Sequence, residues 1–329
     1  MSVSRRNFLK MSVGSAALAS STKSFAQAAE AAEIPMRKFG RHADMLSVVG
    51  IGGHTLYYAG SQAEANAIVQ RAYDLGINFF ETAWDYHGGE AETYMGNALV
   101  GKRDDIFLMT KFCNFHTSKY TPDVKGSMQM LEDSLRRLKT DHLDLWLLHS
   151  VSDNDAEEAY KKDGAIEALE LAKQQGKIRY TGFSGHTDTQ VHIDLINGGY
   201  EWDATLMPVS VVGALDSRAF ESKVMPLCEE KNIAVLGMKG FGGSRRTHLH
   251  GQTNVEEALQ YSLSYPQVCS HMVGIDKLEY VDQAVAGSAG KPMSPEQRKM
   301  FAVNDAPDSP DYAAMQHGGK HYDAGRSHS

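Results

Sequence analysis

The chain has 329 residues, 42% hydrophobic and 22% charged, and its 33 Lys and Arg against 41 Asp and Glu give a formal charge of −8 at pH 7. Such a composition excludes a disordered, collagenous or coiled-coil chain and suffices for a buried core in one large domain or two average ones. An acidic balance with no basic stripe argues against a nucleic-acid partner. Three widely spaced cysteines, Cys113, Cys228 and Cys269, with no CxxC pair, argue against a disulfide scaffold, and no metal site is expected.

Residues 1–28 contain Arg5, Arg6, Lys10 and Lys23 and no acid. The run Ser4-Arg5-Arg6-Asn7-Phe8-Leu9-Lys10, followed by a weakly apolar stretch from Met11 to Ala19, reads as a twin-arginine (Tat) signal peptide. That stretch is about half of the roughly 20 residues a membrane-spanning helix needs, so no membrane anchor is expected. Small residues at Ser24 and Ala26, or at Ala26 and Ala28, offer cleavage sites, and removing the segment leaves 29 bases against 41 acids, a charge of −12. The expectation is a protein handed folded to the Tat export machinery and released in the periplasm.

From Arg37 onward short apolar runs alternate with amphipathic stretches about eight times. The strand candidates are Leu46 to Gly50, Phe79 to Thr82, Ile106 to Lys111, Leu143 to His149, Tyr180 to Ser184, Thr205 to Val209, Ala234 to Met238 and His271 to Gly274. Between them Val124, Met128, Leu131, Leu135 and Leu138 recur at spacings of three and four, which places one apolar stripe on a helix. This alternation predicts a parallel sheet with crossover helices, and eight units fit a single-domain (β/α)8 TIM barrel over residues 37–292. Gly50-Ile51-Gly52-Gly53-His54 does not complete the GxGxxG fingerprint of an open dinucleotide-binding sheet. Residues 293–329 lose the alternation and read as a polar C-terminal extension, whose His317, His321 and His328 are a solvated tail.

In such a barrel, chemistry sits where strands end and loops begin. The polar groups there are Glu81 and Tyr86 after the second strand, Lys111 ending the third, His149 ending the fourth and Ser184 ending the fifth. An ammonium beside a phenol favours its ionised form and a carboxylate holds the ammonium, so Glu81, Lys111 and Tyr86 can form a relay.

The segments FFETAWDYHGGEAETYMGNAL, FLMTKF, LDLWLLHS and GKIRYTGFSGH, in this order, resemble the signature segments of the aldo-keto reductases over about Arg37 to Ala286. The resemblance implies a nicotinamide dinucleotide bound across the strand ends, a small carbonyl substrate, and an Asp, Tyr, Lys and His tetrad that matches here at Tyr86, Lys111 and His149, with Glu81 where the family has Asp. Hydride transfer to a carbonyl builds negative charge on oxygen, which the phenol would stabilise and protonate while His149 orients the carbonyl. Misplacing the relay by about an ångström can cost around a hundredfold in rate. On the cofactor side it implies roles for Ser184, for the loop Met238-Lys239-Gly240-Phe241-Gly242-Gly243 against the pyrophosphate, and for Gly274 and Lys277 near the adenosine 2′-phosphate. NADP is expected, with NAD possible. Leu206, Tyr280 and Ala284 stand where the family has other side chains. Those departures keep open a second reading, a non-catalytic barrel binding a small ligand or partner in the periplasm.

Overall fold

The computed structural model describes residues 25–113, 119–210, 220–240 and 255–304. Eight parallel strands close into a barrel. In chain order they are β3 (Val49–Gly52), β4 (Phe79–Glu81), β5 (Phe107–Phe112), β6 (Leu143–Leu148), β7 (Ile178–Ser184), β8 (Ala204–Pro208), β9 (Ala234–Met238) and β10 (Val268–Gly274). Pairing of β10 with β3 completes the ring, with His271 opposite Val49 and Gly274 opposite Gly52. This is the (β/α)8 architecture that the alternation of apolar runs predicts.

The preceding hairpin, β1 (Met36–Lys38) with β2 (Met45–Ser47), was not legible as such. The predicted first strand, Leu46 to Gly50, straddles the break between β2 and β3. The Ser47 side chain donates to the Val49 carbonyl, and the Ser47 amide donates to Asn78 Oδ1, so the chain turns at the one serine inside a mainly apolar run. The hairpin buries Phe39 and Leu46 fully, packing them with Phe79 and Phe107 where those strands begin. The end of the barrel opposite the candidate chemistry is therefore stoppered with aromatic rings.

The helix predicted from the spacing of apolar residues spans Val124–Leu138. Asp123 caps it by accepting the Gly126 amide at 2.7 Å, Lys139 ends it at φ 56°, and Met130, Leu131, Leu135 and Leu138 face the barrel. A second, outer core fills the space between strands and helices. Among the described residues no helix is long and apolar enough to cross a membrane.

Residues 25–31 are helical, and Ala29 is the first buried side chain of the described residues. The rest of the predicted signal, residues 1–24, lies outside the described residues. At the other end the expected polar extension begins with a helix, Pro295–Asn304, that docks on the barrel: Arg298 donates to the Ser264 carbonyl at 2.9 Å and lies 4.3 Å above the Tyr265 ring. Residues 305–329, with His317, His321 and His328, lie outside the described residues.

Candidate active site

Strand β5 builds the site through its period of two. Thr110 points outward and donates to Glu92 Oε1 at 2.7 Å, so Lys111 points into the barrel, where it is 1% exposed. Its ammonium pairs with the buried Glu81 carboxylate, donates to the Thr82 carbonyl at 2.8 Å and reaches the Tyr86 hydroxyl at 3.1 Å. Glu81 gains its room from the neighbouring strand: a Cβ on Gly52, directly opposite it, would lie 3.3 Å from Glu81 Oε2. The extra methylene relative to Asp is thus absorbed without drawing Lys111 away from Tyr86.

Tyr86 is carried by a loop held from outside the barrel. The Trp84 amide donates to the Lys111 carbonyl at 3.0 Å, and Arg137 donates to both the Trp84 carbonyl and Glu92 Oε2 at 2.9 Å. Trp84 faces this buttress, donating to Asp133 Oδ2 at 3.3 Å. The wall around Tyr86 is His54, whose ring stands edge-on at 5.1 Å, with His87, Tyr57 and Tyr58 beside it. His54 was missed in the sequence reading; its place directly after the glycine run that ends β3 was the available signal.

The Tyr86 phenol is pushed well above its ordinary value, by burial first and then by the Glu81 and Asp85 carboxylates. The relay expected from sequence had Lys111 favouring the phenolate. In the folded site Glu81 offsets that ammonium, and the phenol keeps its proton, the form an acid needs. His149 lies with its ring 5.3 Å from Tyr86 and its Nδ1 2.9 Å from Asp85 Oδ1. Burial alone would raise the Asp85 carboxyl, but the charge and hydrogen bond of His149, and then Lys111, hold it well below the usual carboxylate range. Asp85 was not singled out by sequence. It leaves Nε2 as the His149 nitrogen available to a carbonyl.

The ends of β7, β9 and β10 carry the cofactor candidates. Ser184 is buried, but its hydroxyl donates to the Leu148 carbonyl and accepts the Ser150 amide, both at 3.2 Å, so it joins β6 to β7. His186 beside it has a buried Nδ1 with no hydrogen-bond partner, and burial, then the charge of Lys239, holds its pKa well below 6.5. Lys239 sits at φ 58° directly after β9, and burial lowers it to about 8. The next amide, Gly240, donates to His271 Nε2 at 3.1 Å, and a Cβ there would come within 2.6 Å of that nitrogen, so only glycine lets the loop lie this low. His271 Nδ1 in turn meets Ser262 Oγ at 2.6 Å. Gly274 ends β10, and Lys277 is the exposed residue preceding the helix Leu278–Ser288, its ammonium 5.6 Å from the Tyr280 ring centre. Gly242 and Gly243 lie outside the described residues.

These residues fit a dinucleotide. The orphaned His186 nitrogen offers a contact for a carboxamide, Lys239 and the low Gly240 backbone suit a pyrophosphate, and the helix start beside Lys277 suits a further phosphate.

A family model described as the aldo/keto reductase family matches residues 48–249. The chain is 28% identical over 303 residues to the uncharacterized oxidoreductase YqkF of Bacillus subtilis, covering 80% of this chain and 94% of that one. It is 30% identical over 190 residues to the methylglyoxal reductase YeaE of Escherichia coli, covering 56% of this chain and 61% of that one. Among solved structures it is similar to the holo form of aldo-keto reductase AKR11C1 from Bacillus halodurans, with a TM-score of 0.69, 28% identity, and coverage of 84% of this chain and 97% of that one.

The strut under the Lys239 loop makes stability depend on pH. His271 is fully buried, and burial lowers its pKa from 6.5 to about 4, so Nδ1 carries the proton and Nε2 accepts from Gly240. A depressed histidine contributes stability that is complete above pH 6.5 and is lost as pH falls towards 4. Replacing it, as in His271→Leu, is expected to flatten the fall in unfolding free energy between pH 6.5 and 4.5 by about 1.4 kcal/mol per pH unit, read by urea denaturation. Equal slopes in the two proteins would disprove a neutral strut.

Proposed function

Because the chain belongs to the aldo/keto reductase family, whose members are NAD(P)-dependent oxidoreductases, we propose that it reduces an aldehyde, ketone or sugar carbonyl at Tyr86, Lys111, His149 and Glu81. The single observation that carries this assignment is the three-way bonding of the Lys111 ammonium to Glu81, Thr82 and Tyr86 at the carboxyl ends of β4 and β5. When bound, the nicotinamide supplies the hydride. The Tyr86 oxygen accepts from Lys111, so its own proton is turned away from the ammonium and offered to the carbonyl oxygen. His149, held at Nδ1 by Asp85, presents Nε2 to that same oxygen and orients it. As the proton leaves, Lys111 steadies the phenolate and Glu81 keeps the ammonium in place.

Tyr86→Phe removes the acid and leaves the ring. Turnover of NADPH with a panel of carbonyls is expected to fall about 10²- to 10⁴-fold, with KM little changed; equal rates in the two proteins would eliminate Tyr86 as the acid.

The reading extends to NADP over NAD. Its support is Lys277 at the start of the helix Leu278–Ser288, where an ammonium and first-turn amides would meet a 2′-phosphate. Lys239 would hold the pyrophosphate with Gly240, and His186 the carboxamide. Fluorescence titration of Lys277→Ala should show NADPH binding weakened about fivefold, as for loss of roughly 1 kcal/mol, with NADH binding unchanged. A parallel loss for both nucleotides would refute the assignment.

Export through the Tat machinery to the periplasm is proposed for the same chain. Both cleavage sites read from the sequence, after Ala26 and after Ala28, precede Ala29, the first packed side chain of the described residues, so removal of the signal leaves the barrel intact. In a Tat-competent bacterium, Arg5→Lys with Arg6→Lys is expected to retain the precursor in the cytoplasmic fraction. Continued appearance of shortened protein in the periplasmic fraction would count against this route.

A further inference from the structure

Three ligand-bearing side chains from successive strand ends converge at the rim of the barrel mouth. Asp85 follows β4, Cys113 follows β5 and His149 follows β6. His149 Nδ1 stands 2.9 Å from Asp85 Oδ1 and 3.2 Å from Cys113 Sγ, and one ligand atom from each residue falls within 4.8 Å of the others. Cys113 is buried, His149 half-buried and Asp85 exposed, so the cluster has a dry side and a wet side.

This arrangement is not a nucleophile relay. A Cys, His and carboxylate triad uses both ring nitrogens, one facing sulfur and one facing the carboxylate. Here both partners crowd the same nitrogen, which carries at most one proton. Three donor atoms within 4.8 Å of one another are close enough to share one small cation.

We propose that Asp85, Cys113 and His149 form a three-ligand site for a zinc-type divalent cation, with a fourth position open to water on the Asp85 side. Ligand lengths of about 2.3 Å to sulfur and about 2.0–2.2 Å to nitrogen and oxygen put tetrahedral edges near 3.3–3.6 Å. The observed contacts of 2.9 and 3.2 Å therefore need to open by only a few tenths of an ångström. A thiolate, an imidazole and a carboxylate together suit a borderline ion of the zinc class and not magnesium or calcium, which take oxygen ligands.

Coordination is redox-neutral and balances simply. The thiol loses its proton to solvent, His149 binds through a deprotonated Nδ1 and keeps a proton on Nε2, and the ionised Asp85 binds as it stands, so at least one proton is released per ion. The ion would take over the hold that Asp85 has on His149. Its binding does not require that the protein reduce carbonyls.

The test uses the full-length protein, stripped with a chelator and titrated with Co²⁺. One equivalent is expected to give the visible bands of tetrahedral cobalt together with a near-ultraviolet thiolate charge-transfer band, both displaced by Zn²⁺. Cys113→Ser is expected to abolish the charge-transfer band, which the tail histidines cannot produce. Asp85→Asn, at an exposed position, keeps the test open if the buried cysteine variant fails to fold; it is expected to weaken binding about tenfold or more. Tyr86→Phe, which removes no ligand, should titrate like the parent. A parent without the thiolate band, a band that survives Cys113→Ser, or unchanged affinity in Asp85→Asn overturns the proposal.

Discussion

The buried pair of Lys111 and Glu81 is the constraint around which the barrel mouth is organised. Desolvating two charges costs several kcal/mol each, and their attraction compensates only where the remaining hydrogen-bonding capacity is also met. Lys111 has three N–H donors, and Glu81, the Thr82 carbonyl and the Tyr86 hydroxyl are three acceptors. The ammonium is therefore fully satisfied. Its last bond also fixes Tyr86: an oxygen that accepts from Lys111 must aim its own proton elsewhere, and the barrel mouth is the direction left open. A structural requirement, satisfying a buried cation, thereby sets the orientation of the acid.

That arrangement depends on supports outside the barrel. Alternation along β5 sends Thr110 outward to Glu92 and Lys111 inward, so one strand anchors both the reacting group and its buttress. Arg137 then ties Glu92 to the Trp84 carbonyl, two residues before Tyr86. On the opposite side a neutral His271 plays the same part for the Lys239 loop, and His192 fills the space behind Gly185, where a Cβ would lie 2.7 Å from its Nε2. In each case a polar side chain packed behind the strand ends supports a loop at the barrel mouth.

The strand ends were legible because apolar runs stop at polar residues, and β9, at Ala234–Met238, coincides with its predicted run. Glu81, Tyr86, Lys111 and His149 could be placed for the same reason, each lying at or just past such a stop. What could not be read was anything set by contact across strands. Asp85 and Cys113 look like ordinary loop neighbours of Tyr86 and Lys111, and only closure of the ring brings both to His149. Trp84 lies two residues from Tyr86, yet the turn between them sends it to Asp133. The β1–β2 hairpin was hidden because Ser47 is the one polar residue between Leu46 and Ile51, and the bend there is made by its hydrogen bonds to Val49 and Asn78.

Charge is divided between the two halves of the mouth. Around Tyr86 the groups are neutral or mutually cancelling: burial holds His54 at about 4 and keeps its ring uncharged, and Glu81 compensates Lys111. A developing negative charge on a carbonyl oxygen would meet oriented neutral donors there, and such preorganised dipoles require no solvent reorganisation as the charge appears. Positive charge would instead serve the phosphate side, through Lys239 and Lys277. The chain without its first 28 residues carries −12, a field that opposes an anionic cofactor at long range but is screened beyond about 10 Å at 0.1 M salt. Cofactor grip would therefore come from short contacts: desolvation lowers the half-buried Lys239 to about 8, and a phosphate beside it would favour its charged form. The neutral His271 beneath the next residue holds that loop in place without adding a competing charge.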